Sequence, residues 1–435
     1  MKKMISLAAM FAALSYASPA FADTNITVGG TNINVYGTLD TAFGDVSHSL
    51  SIDPQFPASV NPVSPVKRSV VHGAAIGLFN GGISDSRLGV KGTTDIGDGL
   101  KVFYTLEEGF NLPTGRVNNA AAELATNGET LTTAGANSSM NGQLFNRQAF
   151  VGLSYSDWGS LAVGRNYAPI YDICVTYDPV QDAQLFSPLG FSGTYGGGGG
   201  VSEDTRVDNS LKYTNKIGSF NFGGLLKLGG TLGEATAKTA YALNAGYEEG
   251  NFGIQGTYQA FNDAITGVAS AATSNAVDIT NENTKAWMVA AKYKIGAATL
   301  KIGYQQYTLG APSNIISTTT TLYNYYGQNV GKVSNFSATA SDKSTHILFG
   351  GGDYNFSSKF NMAAGVYSVS PQANTDLSQS YSNQMYYSLL ADYHITKSLD
   401  TYAGLMYATF SGVGLSSSTY YQNNTITAVG VRYKF

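Results

Sequence analysis

The sequence has a single cysteine, Cys174, in 435 residues, so no disulfide can form within the chain. Only 12% of the residues are charged, against an average of about 25% in soluble domains. The 25 basic residues are outnumbered by 29 acidic ones, which argues against nucleic acid as a partner, because such a protein needs a basic surface. Because no disulfide can form within it, packing and backbone hydrogen bonds must hold the chain together.

Long apolar runs are missing too, except near the N-terminus. Residues 1–22 combine a basic start (MKK), an apolar stretch over positions 4–14 and the pattern Ala-Phe-Ala at 20–22. This order predicts a cleaved secretory signal. A buried helix or a membrane anchor is the alternative, but the stretch is shorter than the roughly 18 residues of a spanning helix. Without its two lysines, 23 basic and 29 acidic residues remain, a net charge of −6. We expect residues 23–435 to form one exported domain.

The abundant residue types indicate a membrane protein whose membrane segments are not apparent from mean hydropathy. The chain contains 29 tyrosines and 51 glycines, and its mean hydropathy is −0.07. A transmembrane β-barrel has this profile, because only every second residue of a strand faces lipid and the others line the interior.

Alternation of apolar and polar residues supports that interpretation. In the last eight residues, Val429, Val431, Tyr433 and Phe435 alternate with small or charged residues, which is the period of a strand with two different faces. The same period recurs in INVYGTLDTAF (33–43), SRLGVKGTTDIG (86–97), DNSLKYTNKIG (208–218), KAWMVAAKYKIG (285–296) and ATLKIGYQQY (298–307).

Connections between the predicted strands alternate between short turns and long loops. Turns rich in Gly, Asn, Asp and Ser are predicted at 95–99, 156–160, 215–219, 248–251, 294–298, 355–359 and 394–398, and the two chain ends meet at the eighth position. Long loops are predicted at 45–84, 111–145, 168–205, 229–238, 262–283, 309–343, 370–383 and 412–423. The pattern predicts an all-β fold, a transmembrane antiparallel β-barrel of about 16 strands with short periplasmic turns and long extracellular loops.

The barrel must close, because lipid offers no partner to an unpaired backbone amide. We therefore expect the last strand to pair with the first, near residues 33–42. Tyr433 and Phe435 are assigned to this closure and to assembly, with the Phe435 ring at a membrane interface. The alternative is a soluble β-sandwich with ordinary alternation.

Five stretches then resemble the general, non-specific trimeric porins of Gram-negative outer membranes, in particular the proteobacterial sixteen-stranded type. They are VYGTLD (35–40), SRLGVKGTTDIGDGLKVFYTLEEGF (86–110), NRQAFVGLSYSDWGSLAVGRNYAPIYD (146–172), RVDNSLKYTN (206–215) and GVRYKF (430–435). The resemblance implies a water-filled channel in the cell outer membrane for passive diffusion of small hydrophilic solutes and ions. It further implies contact with outer-membrane lipid, a homotrimer, and insertion by the barrel-assembly machinery.

The resemblance also implies a charged pore constriction, with the third long loop folded into the pore. By position, the arginine ladder of the wall is Arg87, Arg147 and Arg206, with Glu107 beside it. Lys91 lies on the same predicted face as Arg87. The loop acids are Asp172, Asp178 and Asp182, and the resemblance leaves open which of them face the pore. Opposed charges across a narrow opening would create a transverse field that orients polar solutes.

Three details of the resemblance need the structure. Arg147 has the parity of an apolar row (149, 151, 153 and 155), so strict alternation would aim it outwards unless a bulge intervenes. The glycine run Gly196–Gly200 would leave the third loop unusually bare. Arg165 matches a position near the contact with a neighbouring subunit.

Catalytic or metal-binding motifs are not recognisable. The four histidines, His48, His72, His346 and His394, are isolated in sequence, so we predict no metal site, no cofactor and no enzyme. The ion preference stays open, because arginines favour anions whereas the net charge of −6 does not. Two alternative functions remain, a substrate-selective channel and a surface adhesin or receptor displayed on a barrel.

Overall fold

The computed structural model describes most of the predicted barrel. The described residues are 24–48, 74–117, 144–189, 206–230, 233, 235–270, 277–310, 321–322, 333–334, 342–371, 383–412, 418 and 421–435. The signal segment 1–22 and the glycine run 196–200 lie outside them. Among the described residues, no helix combines the length and the apolar character needed to cross a bilayer.

The described residues form 21 strands and one helix. The strands are β1 (Thr24–Val28), β2 (Thr31–Val46), β3 (Ala75–Asn80), β4 (Arg87–Gly97), β5 (Leu100–Asn111), β6 (Arg116–Val117), β7 (Gln148–Tyr155), β8 (Gly159–Tyr167), β9 (Arg206–Ile217), β10 (Phe220–Lys227), β11 (Ala240–Glu249), β12 (Phe252–Ser270), β13 (Val277–Ile295), β14 (Ala298–Leu309), β15 (Thr321–Leu322), β16 (Val333–Ser334), β17 (Lys343–Asn355), β18 (Phe360–Pro371), β19 (Asn383–His394), β20 (Leu399–Ser411) and β21 (Asn423–Lys434). The helix is α1 (Pro169–Tyr177).

Sixteen of these strands close into one antiparallel barrel. Around the ring the order is β2, β4, β5, β7 to β14 and β17 to β21, and β21 pairs back with β2. Gly37 and Phe435 exchange two backbone hydrogen bonds, of 2.8 and 3.1 Å, and the Phe435 ring covers the face of Gly37 where a Cβ would lie. The predicted fold class and the predicted closure between the first and last strands are confirmed.

Side chains alternate between the two sides of the wall. On β11, Leu243 is 62% exposed on the outer surface, whereas Ala242 is 1% exposed on the inner side. Large exposed apolar side chains follow the same rule around the ring, from Phe43 on β2 to Val431 on β21. An exterior this apolar suits hydrocarbon better than water.

The seven predicted turns all fall between consecutive barrel strands and are confirmed. Exposed aromatic side chains collect at this end of the barrel, as expected at a membrane interface. They include Trp158, Phe220 and Phe356.

Two predicted loops are wrong in extent. The loop 262–283 is largely strand, because β12 and β13 continue as a hairpin as far as residues 270 and 277. Polar residues can also form paired strands outside the membrane, because an apolar outward face is not required there. The loop 45–84 is shortened by β3, whose alternation covers only six residues and is interrupted by Gly81 and Gly82.

Candidate functional site

The three predicted ladder arginines meet at two carboxylates on the inner wall. Arg147 Nε lies 2.8 Å from Glu107 Oε1, and its Nη1 lies 3.0 Å from Asp85 Oδ2. Arg87 approaches Glu107 at 3.7 Å, and Arg206 approaches Asp85 at 3.8 Å. Glu107 thus lies beside two of the ladder arginines. Asp85 was missed, because it lies in a stretch interpreted as the border of a loop.

Tyrosines complete the surroundings of Glu107. Tyr36 donates to Oε2 at 2.8 Å and Tyr167 donates to Oε1 at 3.1 Å. The Arg147 guanidinium also lies over the Tyr167 ring, 5.7 Å from its centroid. Glu107 is therefore held in one orientation by three donors, and the two arginine charges offset the cost of its burial.

Arg147 points inwards without breaking the alternation of its strand. The regular strand β7 begins only at Gln148, which pairs with Glu107, and Val151 and Leu153 lie on its outer face. Arg147 precedes this strand, and its backbone amide donates to the Glu107 carbonyl of β5 at 3.2 Å. The outward orientation that strict parity would impose does not occur.

Residues 81–86, which we call the inward segment, leave the wall between β3 and β4 and wrap around Asp40. The amides of Gly82 and Ser84 donate to the two Asp40 carboxylate oxygens at 3.0 and 2.8 Å. Gly81 has a φ of 78°, and a Cβ at Gly82 would overlap the Tyr402 hydroxyl. These two positions therefore need glycine. The bend is what brings Asp85 to the arginines.

One ladder arginine is accessible from the interior of the barrel, and the other two are buried. The Arg87 side chain is 30% exposed, against 4% for Arg147 and 5% for Arg206. Lys91 lies four residues further along β4, on the same face. It is exposed, and its ammonium group lies over the Tyr36 ring, 4.9 Å from the centroid. Arg87 and Lys91 are thus the cations of this wall that a solute can reach.

Residues 168–189, which we call the inner loop, lie inside the barrel. Lys292 of β13 stacks over Tyr177 of α1 at 5.4 Å. Further along, the Tyr367 hydroxyl of β18 donates to Asp178, and Lys301 Nζ of β14 donates to its carbonyl at 3.0 Å. The loop ends against the inward segment, where Leu185 donates its amide to the Gly82 carbonyl at 3.0 Å.

The three predicted loop acids have different surroundings, and none of them contacts the ladder. Asp172 is half-exposed and pairs with Lys212 at 2.6 Å. Asp178 is fully buried, so its assignment to the pore lining is wrong. Sequence alone does not show which loop acid is needed to attach the loop to the wall.

Burial also changes the charge of the remaining acid. Burial within the inner loop and the neighbouring Asp178 carboxylate raise the pKa of Asp182 to about 8, and burial raises the pKa of Asp178 as well. At neutral pH, Asp182 is therefore mostly protonated. The inner loop contributes little negative charge opposite the ladder.

A second polar cluster involves Glu108, whose side chain alternates with Glu107 and points to the outer face. Asn146 donates from its amide to Glu108 at 3.0 Å. Arg165 donates twice to the Asn146 carbonyl, at 2.7 and 2.8 Å, and pairs with Asp208 at 2.6 Å. Arg165 is therefore held by groups of its own chain, and its contact with another subunit stays a prediction.

A third cluster lies near the turn end of β19, β20 and β21 and was not predicted. Asp400 accepts from Arg432 at 2.7 and 2.9 Å and from Lys434 at 2.8 Å. His394 Nδ1 lies 2.6 Å from its other oxygen, so the interpretation of His394 as isolated is wrong. Candidate metal-ligand atoms of Asp392, His394 and Asp400 lie within 4.8 Å of one another. Two cations already neutralise Asp400, so we assign no metal ion.

Fold and site together define a class of protein. A closed barrel with an apolar exterior, charged side chains on its inner wall and a loop folded inside is a transmembrane β-barrel of the outer-membrane type. The sequence profile described as Gram-negative porin matches residues 6–413. The chain belongs to the Gram-negative porin family, and its location is the outer membrane.

Curated relatives match part of the chain. Over 225 residues it is 30% identical to an outer membrane porin protein of Bordetella pertussis, an alignment that covers 51% of this chain and 47% of that protein. Over 162 residues it is 29% identical to outer membrane porin protein 32 of Delftia acidovorans, covering 37% and 39%. The matched part of the chain thus spans less than half the length of these relatives.

Solved structures resemble it over nearly the whole length. An anion-selective porin from Comamonas acidovorans has a TM-score of 0.62 at 17% identity, covering 93% of this chain and 100% of that one. OmpT, an outer membrane protein of Vibrio cholerae, has a TM-score of 0.59 at 16% identity, covering 94% and 99%. At such low identity the likeness concerns the fold alone.

Proposed function

We propose that this porin forms a water-filled channel for passive diffusion of small hydrophilic solutes and ions, without a catalytic step. The observation that supports it most is the pairing of a ladder on one wall with a loop attached to the opposite wall. Such an arrangement narrows the barrel without filling it, and leaves Arg87 and Lys91 in contact with the remaining space. Tyrosines give no support to an aromatic slide, since Tyr36, Tyr167 and Tyr367 bond carboxylates.

We further propose that the channel prefers anions. In the constriction, Glu107 is buried and Asp85 is half-buried, and both pair with arginines. Asp182 is mostly neutral. The exposed cations Arg87 and Lys91 have no exposed carboxylate facing them from the inner loop apart from Asp172, which Lys212 neutralises. A positive lining attracts anions into the narrow part of the pore.

Replacing Arg87 by serine is expected to weaken this preference. A unit charge acts on an ion about 5 Å away with about 0.8 kcal/mol in water, which corresponds to about a fourfold change in local anion concentration. In planar bilayers with a salt gradient, the reversal potential of the Arg87→Ser channel should move towards zero. Lys285→Ser is the matched control, because Lys285 lies on the outer face of β13. An unchanged potential in Arg87→Ser would contradict the proposed site.

We propose that the native state is a homotrimer and that the outward cluster of Glu108, Arg165 and Asp208 lies in its interface. Glu108 is eight residues above the turn end of β5, roughly 20 Å along a tilted strand, and so lies at the depth of the apolar band. Charged groups facing lipid at that depth are costly. Coverage by a second copy of the chain removes this cost.

Asp208→Arg tests the interface, because the Asp208 side chain is 47% exposed and the new cation would face Arg165. We expect the trimer to dissociate, with a threefold smaller protein mass by light scattering in mild detergent. Lys285→Glu, a charge reversal on the other side of the barrel, should leave the trimer intact. A wild-type protein that is monomeric, or an Asp208→Arg trimer as stable as the wild type, would contradict the proposal.

Export through the cleaved segment 1–22 and insertion by the barrel-assembly machinery stay predictions. Removal of the segment is checked by the N-terminal sequence of the protein isolated from outer membranes, which should begin at Asp23.

A further inference from the structure

A row of polar side chains crosses four neighbouring strands on the inner wall, close to the turn end of the barrel. Lys101 of β5 lies opposite Ser154 of β7, which lies opposite Ser160 of β8, which lies opposite Thr214 of β9. Neighbouring strands are about 4.8 Å apart, so the row is roughly 14 Å long. Lys216 of β9 stands two residues beyond Thr214, nearer the turn.

All five side chains face the lumen. Lys101 shares the face of β5 with Glu107, which contacts the ladder. Lys216 shares the face of β9 with Lys212, whose Nζ reaches Asp172 of the inner loop at 2.6 Å. Together they line an open recess of about 720 Å³ at the turn end, separate from the ladder. A solute that enters at the loop end and passes the inner loop meets this recess before it leaves the barrel at the turn end.

The two lysine charges in the recess outnumber its one carboxylate. Lys101 and Lys216 are exposed, and neither forms an ion pair in the described part of the chain. Glu248 lies within electrostatic range of Lys216, but it pairs with Lys292 at 2.7 Å. Three other inward lysines do form ion pairs, namely Lys212–Asp172, Lys292–Glu248 and Lys301–Asp353. Asp95 also lines the recess and lies opposite Lys101 across β4 and β5, so it offsets one of the two lysine charges. The recess therefore keeps a positive excess.

Free hydrogen-bond donors lie between the two lysines. The hydroxyl groups of Ser154, Ser160 and Thr214 have no hydrogen-bond partner among the residues that the structure describes, and each hydroxyl can donate to an anionic oxygen. The recess thus presents an ammonium group towards each end and three hydroxyls between them.

We propose that this recess binds a solute with two or more linked phosphoryl groups, such as a diphosphate or a polyphosphate. Lysine binds phosphate as a point charge, so two separated lysines select two separated charges. The lysines stand three strands apart, so a chain of linked phosphoryl groups can contact both with extended side chains, and it carries more charge than a single phosphate. The inference rests on the proposed pore, since the ligand reaches the recess through the lumen.

The test uses inorganic tripolyphosphate and the full-length protein in planar bilayers. Tripolyphosphate added on the turn side should reduce the current at lower concentration than inorganic monophosphate does. Lys101→Gln and Lys216→Gln should each raise the half-blocking concentration about tenfold, as expected for one charge-assisted hydrogen bond. Lys294→Gln is the control, because Lys294 is another exposed inward lysine near the turn end of β13, outside the recess.

Calorimetric titration of the detergent-solubilised protein separates the two proposals. Tripolyphosphate should bind with one site per chain in the wild type and in Lys294→Gln, and binding should be lost in the Lys101→Gln/Lys216→Gln double variant. Equal effects of all three lysine variants would overturn the site. They would mean that the overall positive charge of the lumen attracts tripolyphosphate. A conducting channel that neither binds nor is blocked by tripolyphosphate would overturn the inference but not the pore. Binding by a channel that does not conduct would support the recess and overturn the pore.

Discussion

Replacing Arg147 by methionine is expected to lower the free energy of unfolding of the barrel by about 3–5 kcal/mol, the usual cost of removing one partner from a buried ion pair. The substitution leaves Glu107 buried and Asp85 half-buried on the inner wall, with Arg87 and Arg206 no closer to them than 3.7 and 3.8 Å. Urea unfolding in detergent, followed by the fluorescence of the two tryptophans, measures the loss.

Two variants check the cause. Arg87→Met removes a partly exposed ladder arginine and should cost about 1 kcal/mol or less. Adding Glu107→Gln to Arg147→Met should recover part of the stability, because a neutral amide is less costly to bury than an unpaired carboxylate. Wild-type stability in Arg147→Met would show that the ladder is not a structural ion-pair network.

Tyr367→Phe is expected to loosen the inner loop. The substitution removes only the hydroxyl that donates to Asp178, and leaving a buried acceptor without this donor costs about 1–3 kcal/mol. The ratio of attached to detached loop should fall about 10- to 100-fold, since 1.4 kcal/mol is tenfold. Single-channel recordings should then show brief transitions to a level of higher conductance.

Tyr386→Phe is the matched control for this experiment. Tyr386 is an equally buried tyrosine on the neighbouring strand β19, but its hydroxyl bonds Gln384 of the same strand. Its recordings should equal those of the wild type. Steady currents in Tyr367→Phe at the wild-type level would mean that other contacts, such as that of Lys301 with the Asp178 carbonyl, hold the loop alone.

The candidate site was predictable where the strands are regular. The resemblance to porins placed Arg87 and Glu107 side by side, and the structure brings them within 3.7 Å of each other. Arg147 needed the structure, because its orientation depends on where β7 begins. Asp85 gave no signal, since the bend of the inward segment depends on Asp40, 45 positions earlier in the chain.

The loop acids show a different limit of prediction. Three aspartates in one loop look alike in sequence, yet one pairs with a lysine, one is fully buried and one is mostly protonated. Their differences follow from desolvation and from partners such as Tyr367, which is 189 positions away from Asp178. Motif spacing carries no information about such distant partners.

By itself, the sequence determined that this protein is a closed barrel of about sixteen strands, which of its turns are short and where the first and last strands meet. These features follow from local rules, namely the period of two along a strand, turn residues and the need to pair every backbone amide in lipid. The tertiary structure alone decided which charges reach the lumen. That outcome depends on burial and on contacts such as Tyr402 with Asp40, 362 positions apart, because desolvation is a property of the assembled interior.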